Sequence, residues 1–294
     1  EELIVFDADL AACTYGHLFG AVCPERYFNL GIAEANMISM AAGAAAAGRN
    51  VFACSFAMFT AGRAFEQIRN ACAYPHLNVK VVGTYSGITV GEDGATHQCI
   101  EDLAAMRAIP GMLVLNPADA HETALMVDAL VEYDGPAYIR LPRDPSPEWT
   151  ALEPDYRFAL GKAAQLAAGD DVSLLATGIM VNEAMLAREM LEARGISARV
   201  LDIHTIKPLD AEAVLAAARE TGAIVTAEEH NVLGGLGGAV AELLSETHPT
   251  PVVRVGVRDK FGKSGDVRQL MRLYGLAAED IAGAAAKAIE MKAK

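Results

Sequence analysis

Strand-like and helix-like segments alternate along the whole chain and predict an α/β protein: two α/β domains with mainly parallel sheets. Three observations carry this reading. Short β-branched runs alternate with longer runs at helical spacing, the pattern of parallel strands covered by helices. The alternation stops once, where Pro142, Pro145 and Pro147 fall within six residues, and then resumes. The chain has 294 residues, 52% of them apolar and 21% charged, enough for two cores and too apolar for disorder.

In order, the first half places strands at Leu3–Phe6, Val51–Ser55, Val79–Tyr85, Met112–Leu115 and Ala137–Leu141. Helical segments lie between them near Ala33–Ala47, Phe59–Tyr74, His97–Arg107 and Asp119–Tyr133. From Ala61 onward, Ala64, Phe65, Ile68, Ala71 and Cys72 share one face, as in an amphipathic helix. The prolines disfavour helix and sheet interiors, so this stretch reads as an extended linker. The second series runs Val172–Ala176, helix Ile179–Ala193, Ala198–Asp202, helix Ala211–Glu220, Ala223–Ala227, helix Leu236–Glu246 and Val252–Val255. Helices near Val267–Tyr274 and Ala278–Ala293 close it. The expected units are 1–144, a linker at 145–157, and 158–294.

The formal net charge is −14 with no basic stripe, which excludes a nucleic-acid partner. Five cysteines stand apart at positions 13, 23, 54, 72 and 99, so neither a disulfide framework nor a zinc site is expected. No apolar run reaches membrane-spanning length. The acidic opening at Glu1 and Glu2 argues against a signal peptide, and with the unpaired cysteines this gives a cytoplasmic expectation. That opening runs straight into a strand-like segment, so further residues are expected upstream.

Four stretches are candidates for chemistry. Glu34 lies in Asn-Leu-Gly-Ile-Ala-Glu-Ala-Asn-Met (29–37), ahead of a helix of small residues. Burial among them raises a carboxyl's proton affinity and suits it to proton exchange with a ligand. The plain alternative is an acid favoured by the helix dipole. Phe56 and Phe59 sit where an apolar strand passes into a helix, a place where rings can face a flat ligand or simply fill the core. The segment 83–98 combines four glycines with Tyr85, Glu92, Asp93 and His97. Glycines let backbone approach a ligand closely, and the polar groups supply hydrogen bonds and proton transfer. The glycines of 231–238 lack the pattern of a phosphate loop and read as a tight turn into a packed helix. Glu228, Glu229 and His230 precede it; neighbours on a strand face opposite ways, so no metal site is expected there.

Taken in order, five stretches resemble the transketolase family: Gly-Ile-Ala-Glu-Ala-Asn-Met (31–37), Phe-Ala-Met-Phe (56–59), Arg-Ala-Phe-Glu-Gln-Ile-Arg (63–69), Gly-Glu-Asp-Gly-Ala-Thr-His-Gln (91–98) and Thr-Ile-Lys-Pro-Leu-Asp (205–210). The resemblance covers essentially the whole chain. It implies a pyrimidine-binding domain over 1–144 and a transketolase C-terminal domain over 158–294. It further implies thiamine diphosphate as cofactor and transfer of a two-carbon ketol unit from a ketose to an aldose. Glu34 would hydrogen-bond the cofactor's aminopyrimidine, with Phe56 and Phe59 around that ring and Phe59 stacking on it. His97 would contact sugar oxygens and assist proton transfer, alongside Asp9 and Asp93. Arg143 would bind the substrate phosphate.

Two departures stand out. Tyr85 occupies a position where the family commonly has histidine, and Cys13 or His17 falls near a phosphate-contacting serine. Both predict an altered sugar. The family holds magnesium and the diphosphate with a Gly-Asp-Gly motif in a preceding domain, and no Gly-Asp-Gly occurs here. The resemblance therefore implies a subunit of a split enzyme, an α2β2 heterotetramer whose partner holds most of the magnesium and diphosphate contacts. Rivals are a deoxyxylulose-phosphate-synthase-like chain, a 2-oxoacid decarboxylase β-like subunit, and a non-catalytic scaffold of the same fold.

Overall fold

A computed structural model describes residues 3–154 and 156–292. Glu1 and Glu2, Asp155 within the linker, and Ala293 at the end of the expected last helix lie outside the described residues.

The chain builds two sheets. The first has seven strands in the order β10-β5-β6-β4-β3-β1-β2: β1 Leu3–Asp7, β2 Tyr27–Asn29, β3 Asn50–Phe56, β4 Val79–Thr84, β5 Leu113–Leu115, β6 Ala137–Arg140 and β10 Thr205–Lys207. All its pairings are parallel except β10 with β5. The second has five strands in the order β12-β11-β8-β9-β7: β7 Ala164–Ala167, β8 Val172–Ala176, β9 Ala198–Asp202, β11 Ile224–Asn231 and β12 Val252–Val257. Only β7 runs antiparallel there.

Small residues make the packing close. Helix Glu34–Ala46 buries Met37, Ile38, Ala41, Ala42 and Ala45 in one core with Val51 and Ala53 of β3 and Ala64, Ile68 and Cys72 beyond. That core continues into the second domain through Leu175, Leu201 and Val214. A second core joins Val172 and Leu174 of β8 to Ala184, Ala187 and Leu191 of helix Met180–Glu192 and to Ile88 and Ile100 of the first domain.

Several expectations need correction. The helix expected over 59–74 is broken into Met58–Arg63, Phe65–Gln67 and Ile68–Ala73, the first and last wound with wide π turns. Such turns often accompany functional residues. The helix expected from His97 begins at Asp102. The residues before it spend their backbone elsewhere: the Cys99 carbonyl accepts from Gly87 N, and the Ile100 carbonyl from Asn231 N. The short strands β2, β7 and β10 go beyond the expectation, since three or four residues carry too little periodicity to be read. The strand expected to end at Ala227 continues to Asn231.

The linker is docked rather than free. It forms a short helix, Trp149–Leu152. Thr150 donates from its N–H and hydroxyl to Asp119, and Tyr156 donates its hydroxyl to Glu122. Thr205–Asp210 is a suture between the domains: β10 extends the first sheet, Lys207 donates to the carbonyls of Arg107 and Ile109, and Asp210 caps helix Ala211–Thr221.

Candidate active site

Parallel sheets gather loops at the carboxyl ends of their strands, and ligands bind there. In the first sheet those ends deliver Asp7, Phe56 and Thr84, followed at once by Asp9, Phe59 and Tyr85. The rings form one continuous cluster. Tyr85 stacks on Phe56 with centroids 4.3 Å apart, Phe56 lies 5.9 Å from Phe59, and His97 meets Phe59 edge-on at 5.2 Å. Tyr85 is held in the left-handed region, with φ of 50°.

A cation closes each end of the cluster. The Arg143 guanidinium lies 5.6 Å from the Tyr85 ring centre, and that of Arg63 lies 4.6 Å from Phe59. Arg63 donates to Glu34 Oε2 at 2.7 Å. Glu34 opens its helix and is 2% exposed. Among the described residues no protein donor reaches its Oε1. A buried carboxylate with one oxygen paired and the other unpaired is placed to accept a hydrogen bond from a ligand. Sequence reading weighs burial against the helix dipole for Glu34 and gives Arg63 no role. A wide turn carries Arg63 onto Phe59, but only the fold shows its partner 29 residues away.

Arg143 is tied to the glycine-rich loop. It donates to the Val90 carbonyl at 2.6 Å and lies 3.4 Å from Glu92 and 3.9 Å from Asp93. The His97 ring bonds the Thr96 hydroxyl at 3.0 Å. The structure thus brings Glu34, Phe56, Phe59, Tyr85, Asp93, His97 and Arg143 into one chain of contacts.

Asp9 is not joined to that chain by a side-chain contact among the described residues. It is exposed, has φ of 64°, and its N–H donates to Asn29 Oδ1, which also accepts from Gly31 N. Beside it, the buried Asp7 accepts from Leu10 N and the Thr14 hydroxyl, and burial pushes its carboxyl above the usual range. Sequence reading passes over Asp7 because an acid ending an apolar strand gives no outward sign of such bonding.

The glycines of 231–238 serve packing. A Cβ on Gly237 would lie 2.8 Å from the Thr226 hydroxyl, and one on Gly235 would lie 2.0 Å from Glu228 Oε2. Among the described residues no group of three or more His, Cys, Asp or Glu side chains is arranged to hold a metal ion. No helix among them is long and apolar enough to cross a membrane.

Comparison with known proteins matches the transketolase pyrimidine-binding domain to residues 1–147 and the transketolase C-terminal domain to residues 161–281. The chain is 46% identical over 99% of its length to the 6-deoxy-6-sulfo-D-fructose transketolase subunit of a Clostridium species, covering 90% of that protein. It is 41% identical over 90% of its length to an apulose-4-phosphate transketolase subunit of Phocaeicola vulgatus, covering 84% of that protein. A solved split gene transketolase, an inactive beta4 tetramer, superposes with a TM-score of 0.92 at 50% identity, covering 99% of this chain and 93% of that one.

Proposed function

Because the chain belongs to the transketolase family, we propose that it is the C-terminal subunit of a thiamine-diphosphate-dependent transketolase that works only with a diphosphate-binding partner. The observation that carries this is Glu34: buried, held on one oxygen by Arg63, and free of protein donors on the other among the described residues. That half-satisfied state fits the aminopyrimidine of the cofactor. Thiamine diphosphate, when bound, supplies a nucleophilic carbon and an electron sink for two-carbon transfer.

The chain's own residues then have distinct tasks. Glu34 would hold a proton against the ring nitrogen at Oε1, with Arg63 fixing the carboxylate plane. Phe59 and Phe56 would pack against the ring and keep water from it. His97 would donate to a sugar oxygen and move a proton there, oriented by Thr96. Asp9 and Asp93 would accept from sugar hydroxyls. Arg143 and Tyr85 would receive an anionic group at the far end of the sugar, where a planar guanidinium forms paired hydrogen bonds.

Tyr85 supplies a neutral hydroxyl at that end, which favours an end group other than that of the common ketose phosphates. The sulfo and phosphate groups named for the two relatives support an anionic terminus. The relatives named as transketolase subunits and the split gene neighbour support leaving magnesium and the diphosphate to a partner, in an α2β2 assembly. Exposed Ile32 and Met40 flank Glu34 and offer that partner an apolar surface.

The test is thiamine diphosphate binding, with magnesium, to this chain alone and mixed with a diphosphate-domain subunit. Binding only in the mixture, weakened by Glu34→Gln, is expected. Tight binding to the chain alone would refute the shared site, and binding indifferent to Glu34→Gln would leave a scaffold. Turnover of pyruvate with glyceraldehyde 3-phosphate, in place of ketol transfer, would assign the synthase reaction.

A further inference from the structure

The end of β11 carries three adjacent ionisable residues, Glu228, Glu229 and His230, all buried. Two have local tasks. Glu228 accepts from Leu236 N at 2.7 Å and Gly237 N at 2.8 Å, satisfying the start of helix Leu236–Thr247. The His230 ring bonds the Asn231 carbonyl through Nδ1 and the Ala104 N–H through Nε2. A carbonyl only accepts and an N–H only donates, so the proton sits on Nδ1.

Glu229 does something different: it leaves its own domain. Its Oε1 accepts from Thr89 N at 2.6 Å, 140 residues away. Its backbone carbonyl accepts from Arg140 at 2.7 Å, and Arg140 in turn pairs with Asp102 at 3.0 Å. The contact is close enough to dictate sequence. Gly87 has φ of 74°, and a Cβ there would lie 2.3 Å from the Glu229 carboxyl carbon. Only glycine combines that backbone with that approach.

The consequences run along the loop. Thr89 precedes Val90, whose carbonyl holds Arg143 at 2.6 Å. The same loop carries Asp93 and His97. Its far side is pinned by Gln98, which donates to the carbonyls of Ile88, Gly91 and Lys263. The second domain therefore grips the loop at two places, Glu229 at its entry and Lys263 near its exit. Burial pushes the Glu229 carboxyl up to about 7, against the pull of Arg140 and the Thr89 hydrogen bond. An acid kept under such strain suits a task beyond filling space.

We propose that Glu229 is a positioning residue contributed by the C-terminal domain, setting the glycine-rich loop through Thr89 and Val90 so that Arg143 meets the substrate's anionic end. The link to substrate rests on the reading of Arg143 as a substrate contact given above.

Three variants separate the possibilities. Glu229→Leu removes the acceptor, Glu229→Gln keeps an amide oxygen for Thr89, and Thr89→Pro removes the donor without touching the second domain. Amide exchange over residues 87–98 is read on the full chain, and steady-state kinetics on the chain reconstituted with its diphosphate-binding subunit. We expect exchange in the loop and KM for the ketose each to rise about tenfold in Glu229→Leu and Thr89→Pro, with kcat within about twofold. Glu229→Gln should stay near the parent in both. Unchanged loop exchange in Thr89→Pro overturns the proposal, and that variant decides it should Glu229→Leu fail to fold. Raised exchange with an unmoved KM also overturns it, provided that Arg143→Gln raises KM. An Arg143→Gln enzyme with normal KM would instead sink the substrate reading, and loop exchange would still judge Glu229.

Discussion

The carboxyl ends of two strands, β3 in the first sheet and β11 in the second, place chemistry-bearing residues at equivalent points of an α/β layer and use them in opposite ways. Around β3 the residues stay open to a ligand: Glu34 has one oxygen paired, and Tyr85, Phe59 and His97 are only partly buried. At β11 three ionisable side chains in succession are buried and bond within the fold, through both oxygens of Glu228, both nitrogens of His230 and Oε1 of Glu229. Residue type does not separate a site from a scaffold. Access does: the free oxygen of Glu34 lies beside exposed Arg63, where a ligand can reach it, whereas fully buried unpaired atoms such as Asp102 Oδ1 and both Asp202 oxygens are closed off by the fold.

Exchanging one acid at each place breaks the comparison most sharply. Glu34→Gln is expected to lower turnover of the assembled enzyme about 10³-fold. Its unfolding free energy should shift by less than about 1 kcal/mol, since the Arg63 partner is half exposed. Glu228→Ala should do the reverse, losing about 2 kcal/mol of stability through two orphaned helix N–H groups while KM stays unchanged. Urea unfolding and steady-state kinetics on both variants check this. Comparable losses of stability in the two would erase the distinction.

Arg63 offers a smaller test of the same point. Its guanidinium both pairs with Glu34 and covers Phe59. Arg63→Gln should reduce turnover about tenfold, and Arg63→Lys should recover little, because an ammonium cannot stack as a planar fork does. Full recovery by lysine would mean that charge alone matters there.

Much of the fold and site is legible in the residues alone, and the gaps have physical causes. Strands with four or more apolar residues are visible because a buried parallel strand needs an unbroken run. The three-residue β10 is not, because its partner lies 90 residues earlier at Leu115. Phe56, Phe59, His97 and Glu34 can be singled out from composition and family resemblance. Arg63 and Glu229 cannot, since both act through a contact remote in sequence. The glycine at 87 reads as one that allows close approach to a ligand, whereas the fold shows a positive φ beside a carboxylate of the other domain.

The smallest expected effect concerns a cluster that imitates a site. Glu122 and Asp202 face each other where the linker and the two domains meet, covered by Tyr156. Burial and mutual repulsion push Asp202 well above the usual carboxylate range, and burial pushes Glu122 to about 7. Perturbed acids often mark active sites, yet this pair is closed off by the fold. Two adjacent buried carboxyls cannot both ionise cheaply. Both folded values lie above the unfolded ones, so the stability these acids contribute is complete below about pH 4. That of Glu122 is lost as pH rises through about 7, and that of Asp202 as pH rises through its own raised value. Asp202→Asn removes one titrating group and lets the amide donate to Glu122. The variant should gain about 1–2 kcal/mol over the parent at pH 8 and little at pH 4, read from urea midpoints at the two values. A gain independent of pH would mean that repulsion between the carboxylates is not what the native chain tolerates there. A loss at pH 8 would mean that Asp202 is ionised in the fold and holds a partner that the pair itself does not supply.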